Sequence, residues 1–454
     1  MTTAPSSKDK DKDKDKDTAS PLPGIRLNHQ QRKALRELEK FAHSSEKLYL
    51  LTGYAGTGKT TLLQALIRRL RDKGDSQSDP SGNRRRIVLT AFSNKATKVL
   101  ERMADEWRLE IDCMTCCKLL GLRPEIDSVS GTQVFKPDRD SENHFDRYHL
   151  VVVDEASMIN AEMWELLTNA VNSLLSQTQI LFVGDIAQLP PIGEPESLVF
   201  SQIHQRSDLT EVVRYGGAIA LLAESIRNNL TSPQLPTFET DANGDRTEGV
   251  VVTRRLDWER LLIRAFQSEA YQKDPDYVRA LAYTNKRVHE LNHKIRRAIH
   301  GDGTPRFVEG DRLVANTPYI VGDAVILQTS SECEVLSVDE ADEGDWHVWR
   351  LHVLTDDGKN RSLSVLHELS QGQYARLLDA YAKDKRWSEF WQLKSAFADV
   401  HYAYCLTIHK SQGSTFQNVF VDVPNTLINR NIRERNQLLY VAVTRAAQRL
   451  FLFQ

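Results

Sequence analysis

The sequence predicts an α/β protein built on parallel sheets, and three observations predict it. Four short apolar runs, Leu48–Leu51, Ile87–Leu89, Leu150–Val153 and Ile180–Val183, each lead into a polar motif. Stretches with helical spacing of apolar residues separate these runs. A second half repeats the theme at Leu281–Tyr283 and Val419–Val423, and is interrupted by a Val-, Thr-, Asp- and Gly-rich region at 308–366. Alternating strands and helices cover a parallel sheet on both faces, which leaves the carboxyl ends of its strands as the ligand edge.

The chain has 454 residues, enough for several domains with well-formed cores. No apolar run approaches the roughly 18 residues of a membrane span, and the N-terminus lacks the apolar centre of a signal peptide. The net charge of −3 gives no global positive field, so a nucleic-acid groove has to be a local patch. Five cysteines, an odd number, argue against a disulfide framework and fit a reducing cytoplasm. Cys113, Cys116 and Cys117 cluster without a fourth zinc ligand at the usual spacing, so they read as free thiols.

Lys8–Asp17 alternates lysine and aspartate. Its charges cancel and it has nothing to bury, so 1–21 is expected to be a disordered, solvated tail. Asn28 is placed to cap a helix over Arg32–Phe41, where Ala34, Leu35, Leu38 and Phe41 form the apolar stripe. Gln31, just upstream, carries an amide that can read an adenine edge.

Gly53–Thr61 reads Gly-Tyr-Ala-Gly-Thr-Gly-Lys-Thr-Thr, a phosphate-binding loop between an apolar run and a helical stretch. Its glycines let backbone N–H groups turn toward phosphate oxygens, Lys59 reaches the β- and γ-phosphates, and the Thr60 hydroxyl ligates Mg²⁺. Gly53, Ala55, Gly56, Thr57, Gly58, Lys59, Thr60 and Thr61 are thus the candidate ATP cradle. After Ile87–Leu89 come Ser93, Asn94 and Lys95 at a strand end, then a helix to about Trp107. In 122–148, Ile126–Val129 and Thr132–Phe135 flank Ser130-Gly131, the signal of a β-hairpin insertion. Leu150–Val153 ends in Asp154-Glu155, which fits a Mg²⁺ ligand followed by the group that activates water. Ile180–Val183 ends in Gly184–Pro191.

In the second half, a helix is expected after Thr284 to about Ile299, and the 308–366 region reads as a small antiparallel barrel. Gln373–Phe397 reads as one helix whose Trp387, Phe390 and Trp391 pack on a neighbour or stack bases. A helix from Arg433 places Tyr440 and Thr444 on one face with Arg445 beside them.

Together these motifs resemble the superfamily 1 helicases of the 1B, RecD-like branch, in its Dda-like group, from about Leu27 to the C-terminus. Leu27–Gln31 is similar to the Q motif, Gly53–Thr61 to motif I, Ala91–Leu100 to Ia, Thr115–Leu120 to Ib and Asp154–Ser157 to II. Gly184–Pro191 resembles motif III, Leu209–Arg214 motif IV, Leu406–Gly413 motif V and Gln437–Ala446 motif VI. Two places depart from the pattern: Cys117 stands where motif Ib has His, and Phe92-Ser93-Asn94 where motif Ia has Pro-Thr-His.

The resemblance implies two RecA-like domains with Mg-ATP between them. The first is expected at 22–208 with a hairpin, domain 1B, at 122–148. The second is expected at 209–306 and 398–454, with an SH3-like barrel, domain 2B, at 307–397. It implies Gln188 as sensor of the γ-phosphate, and Arg214 and Arg445 as arginines that neutralise transition-state charge. Ser93, Asn94, Lys95, Thr115, Asn285, His409 and Lys410 are the implied DNA contacts; Phe135 is read as the aromatic wedge of a strand-separating pin, as packing for the hairpin on its own domain or the SH3-like insertion, or as both. The implied activity is 5′→3′ movement on single-stranded DNA and unwinding of forked duplex by a cytoplasmic monomer. Replication, repair or recombination proteins, single-strand-binding proteins among them, are the partners such an enzyme meets. Two other readings fit the motifs: an ATP-switched binding protein that does not unwind, and a translocase on RNA.

Overall fold

A computed structural model of the chain describes residues 26–74, 86–126, 133–137, 142–191, 193–211, 217–245, 247–322 and 324–453. The Lys/Asp tail and Arg214 lie outside the described residues.

The first sheet has six parallel strands in the order Asp112–Thr115, Ile87–Ala91, Leu150–Asp154, Gln179–Gly184, Leu48–Gly53 and Arg206–Leu209. Its central strands are buried along nearly their whole length, because helices cover both faces. Three adjacent strands, Leu150–Asp154, Gln179–Gly184 and Leu48–Gly53, end side by side. The Asp154-Glu155 pair, the Gly184–Pro191 segment and the phosphate loop therefore converge on one edge.

The second sheet runs Cys405–Thr407, Val278–Ala282, Phe416–Asp422, Ala446–Phe453, Gly249–Thr253 and Asp241–Ala242. All its pairings are parallel except the last. The strand expected at Leu281–Tyr283 is Val278–Ala282, so Arg279, 1% exposed, lies inside it. A charged residue hid the strand from an apolar-run reading.

A third, antiparallel sheet joins Asn360–Leu366, Trp346–Thr355, Glu332–Glu343, Arg312–Ala315 and Val400–Tyr402 around a core that includes Leu313, Val335, Leu351 and Leu363. The Ala398 N–H donates to the Ser364 carbonyl, drawing its two edges together. Next to it, Tyr319–Val321 and Ala324–Leu327 form a small hairpin.

Two other expectations shift. The described antiparallel pair of the 122–148 region is Leu122–Ile126 with Gln133–Pro137, so pairing already starts directly after Gly121, and residues 127–132, with the expected turn, lie outside the described residues. The expected helix over Gln373–Phe397 is two helices, Glu368–Lys383 and Trp387–Ser395. Lys385, with φ +54°, takes the left-handed conformation that ends the first. Its aromatic residues pack on one another, Phe390 standing edge-on to both Trp387 and Trp391. No helix among the described residues is long and apolar enough to cross a membrane.

Candidate ATP site and nucleic-acid face

The phosphate loop is shaped by its glycines. Gly56 and Gly58 have φ of +80° and +81°, where side chains are strained. A Cβ on Gly58 would stand 2.4 Å from Gln31 Nε2, and one on Gly53 2.6 Å from Thr57 Oγ1. Lys59 opens the helix Lys59–Gly74, and its Nζ donates to the carbonyls of Gly53 (2.5 Å) and Tyr54 (3.1 Å). Thr60 and Thr61 follow in the first turn, where backbone N–H groups have no intrahelical acceptor. A loop closed to side chains at Gly53 and Gly58, leading into a helix N-terminus, fits a triphosphate.

Gln31 lies beneath the cradle, 2% exposed. It closes a capping box with Asn28, and its Nε2 donates to the Thr57 carbonyl at 3.0 Å. Both amide atoms thus already have protein partners, which a reading of Gln31 as a free adenine reader did not foresee. Its neighbour Gln30 ties the helix to Asp208, Thr210 and Glu211 through its amide.

At the Asp154 strand end, the Asp154 carboxylate accepts the Glu155 N–H at 2.9 Å, and Glu155 takes a left-handed backbone, φ 52°. Burial raises the pKa of Asp154. Burial and then the charge of Asp154 push Glu155 up to about 7, against the pull of Arg445 and Lys59. A carboxyl of that pKa is poised to take a proton near neutrality. With the Thr60 hydroxyl and Asp154, the donor set is all oxygen, as Mg²⁺ requires.

The second sheet domain reaches into this site through the helix Ile432–Thr444. Gln437 Nε2 donates to the Gln188 carbonyl at 2.8 Å. The Tyr440 hydroxyl donates to Asp185 Oδ2 at 2.7 Å and accepts the Ala55 N–H at 2.9 Å. Gln412 Nε2 donates to Gln188 Oε1 at 3.0 Å and to Ser157 Oγ at 3.2 Å. Arg445, 6% exposed, is held by the carbonyls of Val441 and Ser414 and by the Thr444 hydroxyl. Lys59, Asp154, Glu155, Gln188 and Arg445 are thus gathered in one place. Asp185, Gln412 and Gln437 were missed as site residues; Tyr440 was visible through its shared face with Thr444.

The expected DNA contacts are more scattered. Ser93 and Thr115 are helix caps, accepting from the N–H of Ala96 and Lys118. Asn94 and Thr115 line a hollow of about 480 Å³ together with Lys98, Lys118, Asp356 and Arg361. Lys95 is paired with Glu332 of the antiparallel sheet at 3.0 Å, and Lys98 with Asp356. Asn285 is exposed at the start of the helix Asn285–His300. His409 lines a second hollow of about 500 Å³ with Arg433 and Glu194, and Lys410 donates to Asn316 at 2.6 Å. Burial lowers the pKa of both His409 and Lys410. Phe135 is half-buried and meets the Phe92 ring edge-on at 6.1 Å, against the core of its own domain.

The five cysteines are free. Burial raises Cys113, Cys116 and Cys117 to about 12, which keeps them protonated.

A phosphate cradle, a carboxylate pair and an arginine brought in by a second parallel sheet define a nucleotide-driven enzyme of two sheet domains. The AAA domain family model matches residues 26–243, and the UvrD-like helicase C-terminal domain model matches 402–453. The chain is 24% identical to "ATP-dependent DNA helicase dda" of Enterobacteria phage T4, over 94% of this chain and 98% of the relative. It is 27% identical to "RecBCD enzyme subunit RecD" of Mycolicibacterium smegmatis, over 89% of this chain and 68% of the relative. A Pif1 helicase structure, solved for unwinding of forked duplex DNA by two coordinating Pif1 helicases, shares the fold with a TM-score of 0.51 at 15% identity, covering 94% and 92% of the two chains. These matches support a superfamily 1B helicase related to Dda and RecD.

Proposed function

We propose that the chain is an ATP-dependent DNA helicase that moves 5′→3′ along single-stranded DNA and opens forked duplex, working as a cytoplasmic monomer. The observation that carries this reading is that the helix Ile432–Thr444, from the second domain, sets Tyr440 on the phosphate loop and Gln437 on Gln188 of the first, with its C-cap Arg445 close enough to act on Glu155. Hydrolysis then requires the two domains together, which is how a nucleotide cycle becomes a movement.

Bound Mg-ATP would supply the phosphoanhydride and the charge to be neutralised. The loop N–H groups and Lys59 hold the triphosphate, Thr60 and Asp154 hold the metal, and Glu155 accepts a proton from water. Gln188 reads the γ-phosphate, Arg445 with Arg214 neutralises developing charge, and Gln31 serves the adenine end by holding the loop beneath it. Residues 22–208 and 209–306 with 398–454 are the two motor domains in this reading. The hairpin at 122–148 is domain 1B, and the antiparallel sheet of 307–397 is the SH3-like domain 2B. DNA lies along Ser93, Asn94, Lys95, Thr115, Asn285, His409 and Lys410, with replication, repair or single-strand-binding proteins as partners. Phe135 belongs to the pin in this reading, its ring braced against Phe92.

The test is ATP turnover with single-stranded DNA or RNA, beside unwinding of forks carrying a 5′ or a 3′ tail. Stimulation by DNA and opening of the 5′-tailed fork are expected. Stimulation by RNA alone, or opening only of the 3′-tailed fork, would overturn the substrate or the direction.

A further inference from the structure

Two residues at the start of the phosphate loop, Tyr54 and Ala55, are both held from the second sheet domain. The guanidinium of Arg227, on the helix Ala218–Asn228, lies 3.7 Å over the centre of the Tyr54 ring. Its side chain is 8% exposed, and it is fixed by Glu224 at 3.0 Å. One residue on, the Ala55 N–H donates to the Tyr440 hydroxyl, whose own hydrogen goes to Asp185. Tyr440 is 1% exposed and Asp185 fully buried. The same stretch provides the Gly53 and Tyr54 carbonyls on which the Lys59 ammonium rests.

We infer that Arg227 and Tyr440 form a two-point clamp on the phosphate loop, positioning it according to whether the second domain is docked. The inference rests on the helicase reading above and adds positioning residues to it. The Tyr440 relay has a fixed direction. A carboxylate only accepts, so Asp185 obliges the hydroxyl to donate toward it, and the oxygen lone pair is left for Ala55. Asp185 Oδ1 meanwhile accepts the Ala187 N–H at 2.9 Å, so one carboxylate joins the loop to the segment carrying Gln188. Loop, Gln188 segment and second domain are thereby linked through a single phenol.

Two substitutions attack the relay differently. Tyr440→Phe keeps the ring and deletes the hydroxyl. Asp185→Asn, with its oxygen kept on Ala187, turns an amide donor toward Tyr440 and reverses the polarity. Each is expected to lower kcat for ATP by roughly 10-fold or more, the scale of one buried hydrogen bond to a charged group. KM is expected to change less, since the phosphate-binding groups remain. The double variant is expected to be no worse than the poorer single one, because both break one relay. Arg227→Gln, which removes the cation over Tyr54, provides a second arm and should lower kcat in the same way. A purely structural role would lower the melting temperature and leave kcat in place.

Wild-type kcat in both Tyr440→Phe and Arg227→Gln would overturn the clamp, as would losses that multiply in the Tyr440/Asp185 double variant. If Tyr440→Phe does not fold, Arg227→Gln decides alone. Absence of ATP turnover in the wild-type chain would instead overturn the helicase reading, so the two failures are distinguishable.

Discussion

Two of the contacts between the first sheet domain and the rest of the chain are built from different chemistry. At the ATP site most of the joining groups are neutral amides and a phenol, Gln412 and Gln437 on Gln188 and Tyr440 between Ala55 and Asp185, with the Arg227 guanidinium lying over the Tyr54 ring. At the antiparallel sheet they are ion pairs, Lys95 with Glu332 and Lys98 with Asp356, at the rim of a polar hollow. Directional hydrogen bonds hold one geometry and are indifferent to salt. Ion pairs near solvent tolerate shifts, weaken with salt, and exchange a carboxylate for another anion such as a phosphate. The first contact is suited to registering a chemical state, the second to yielding when a charged strand arrives.

The largest expected effects lie on the neutral side. Lys59→Ala should reduce ATP turnover to below a few per cent of wild type while single-stranded DNA still binds, measured by steady-state hydrolysis and fluorescence anisotropy. Loss of DNA binding in parallel would erase the distinction between the two contacts. Arg445→Ala should lower turnover by about 10³-fold or more, as arginine fingers do elsewhere, with a smaller loss of ATP affinity. Near-normal turnover would reduce Arg445 to a tie between the Ser414 and Val441 carbonyls.

On the ionic side, Glu332 is the sharpest probe. Burial pushes its carboxyl up, but Arg279 and Lys95 outweigh this and leave it lowered to about 2. A carboxylate with a depressed folded pKa contributes stability above its unfolded value, near 4.5, and loses it as the pH falls toward 2. Glu332→Gln should therefore cost about 3 kcal/mol at neutral pH, since it strands the buried Arg279, and should flatten the stability profile between about pH 4.5 and 2. Denaturant melts at several pH values would read both, and a parallel acid decline in the two proteins would refute the pairing.

The smallest effect is expected at Phe135. Its packing on Phe92 makes Phe135→Ala cost roughly 1–3 kcal/mol, less than the loss at a fully buried phenylalanine. Unwinding and ATPase should then fall together. A selective loss of unwinding at unchanged melting temperature would restore the wedge.

The ATP half of the site was legible because its chemistry is local. Parallel strands buried on both faces read as apolar runs, and the catalytic groups sit where Leu150–Val153 and Leu48–Leu51 give way to polar residues. The unread parts depend on partners far along the chain. Gln412 meets Gln188 across 224 positions, and Arg279 is accommodated in its strand by Glu332, 53 positions away, with the Ala403 carbonyl and Asp276 beside it. Nothing near Gln31 announces that its amide belongs to Thr57.

The left-handed backbone at Glu155 carries an evolutionary consequence. Such a conformation costs a residue with a side chain on the order of 1–3 kcal/mol, and glycine or asparagine would occupy it with less strain. A lineage selected for heat resistance alone would therefore drift toward those residues and discard the water-activating carboxylate. That glutamate persists there only while turnover itself is under selection, so its loss in a descendant would date the moment when the motor became a passive clasp.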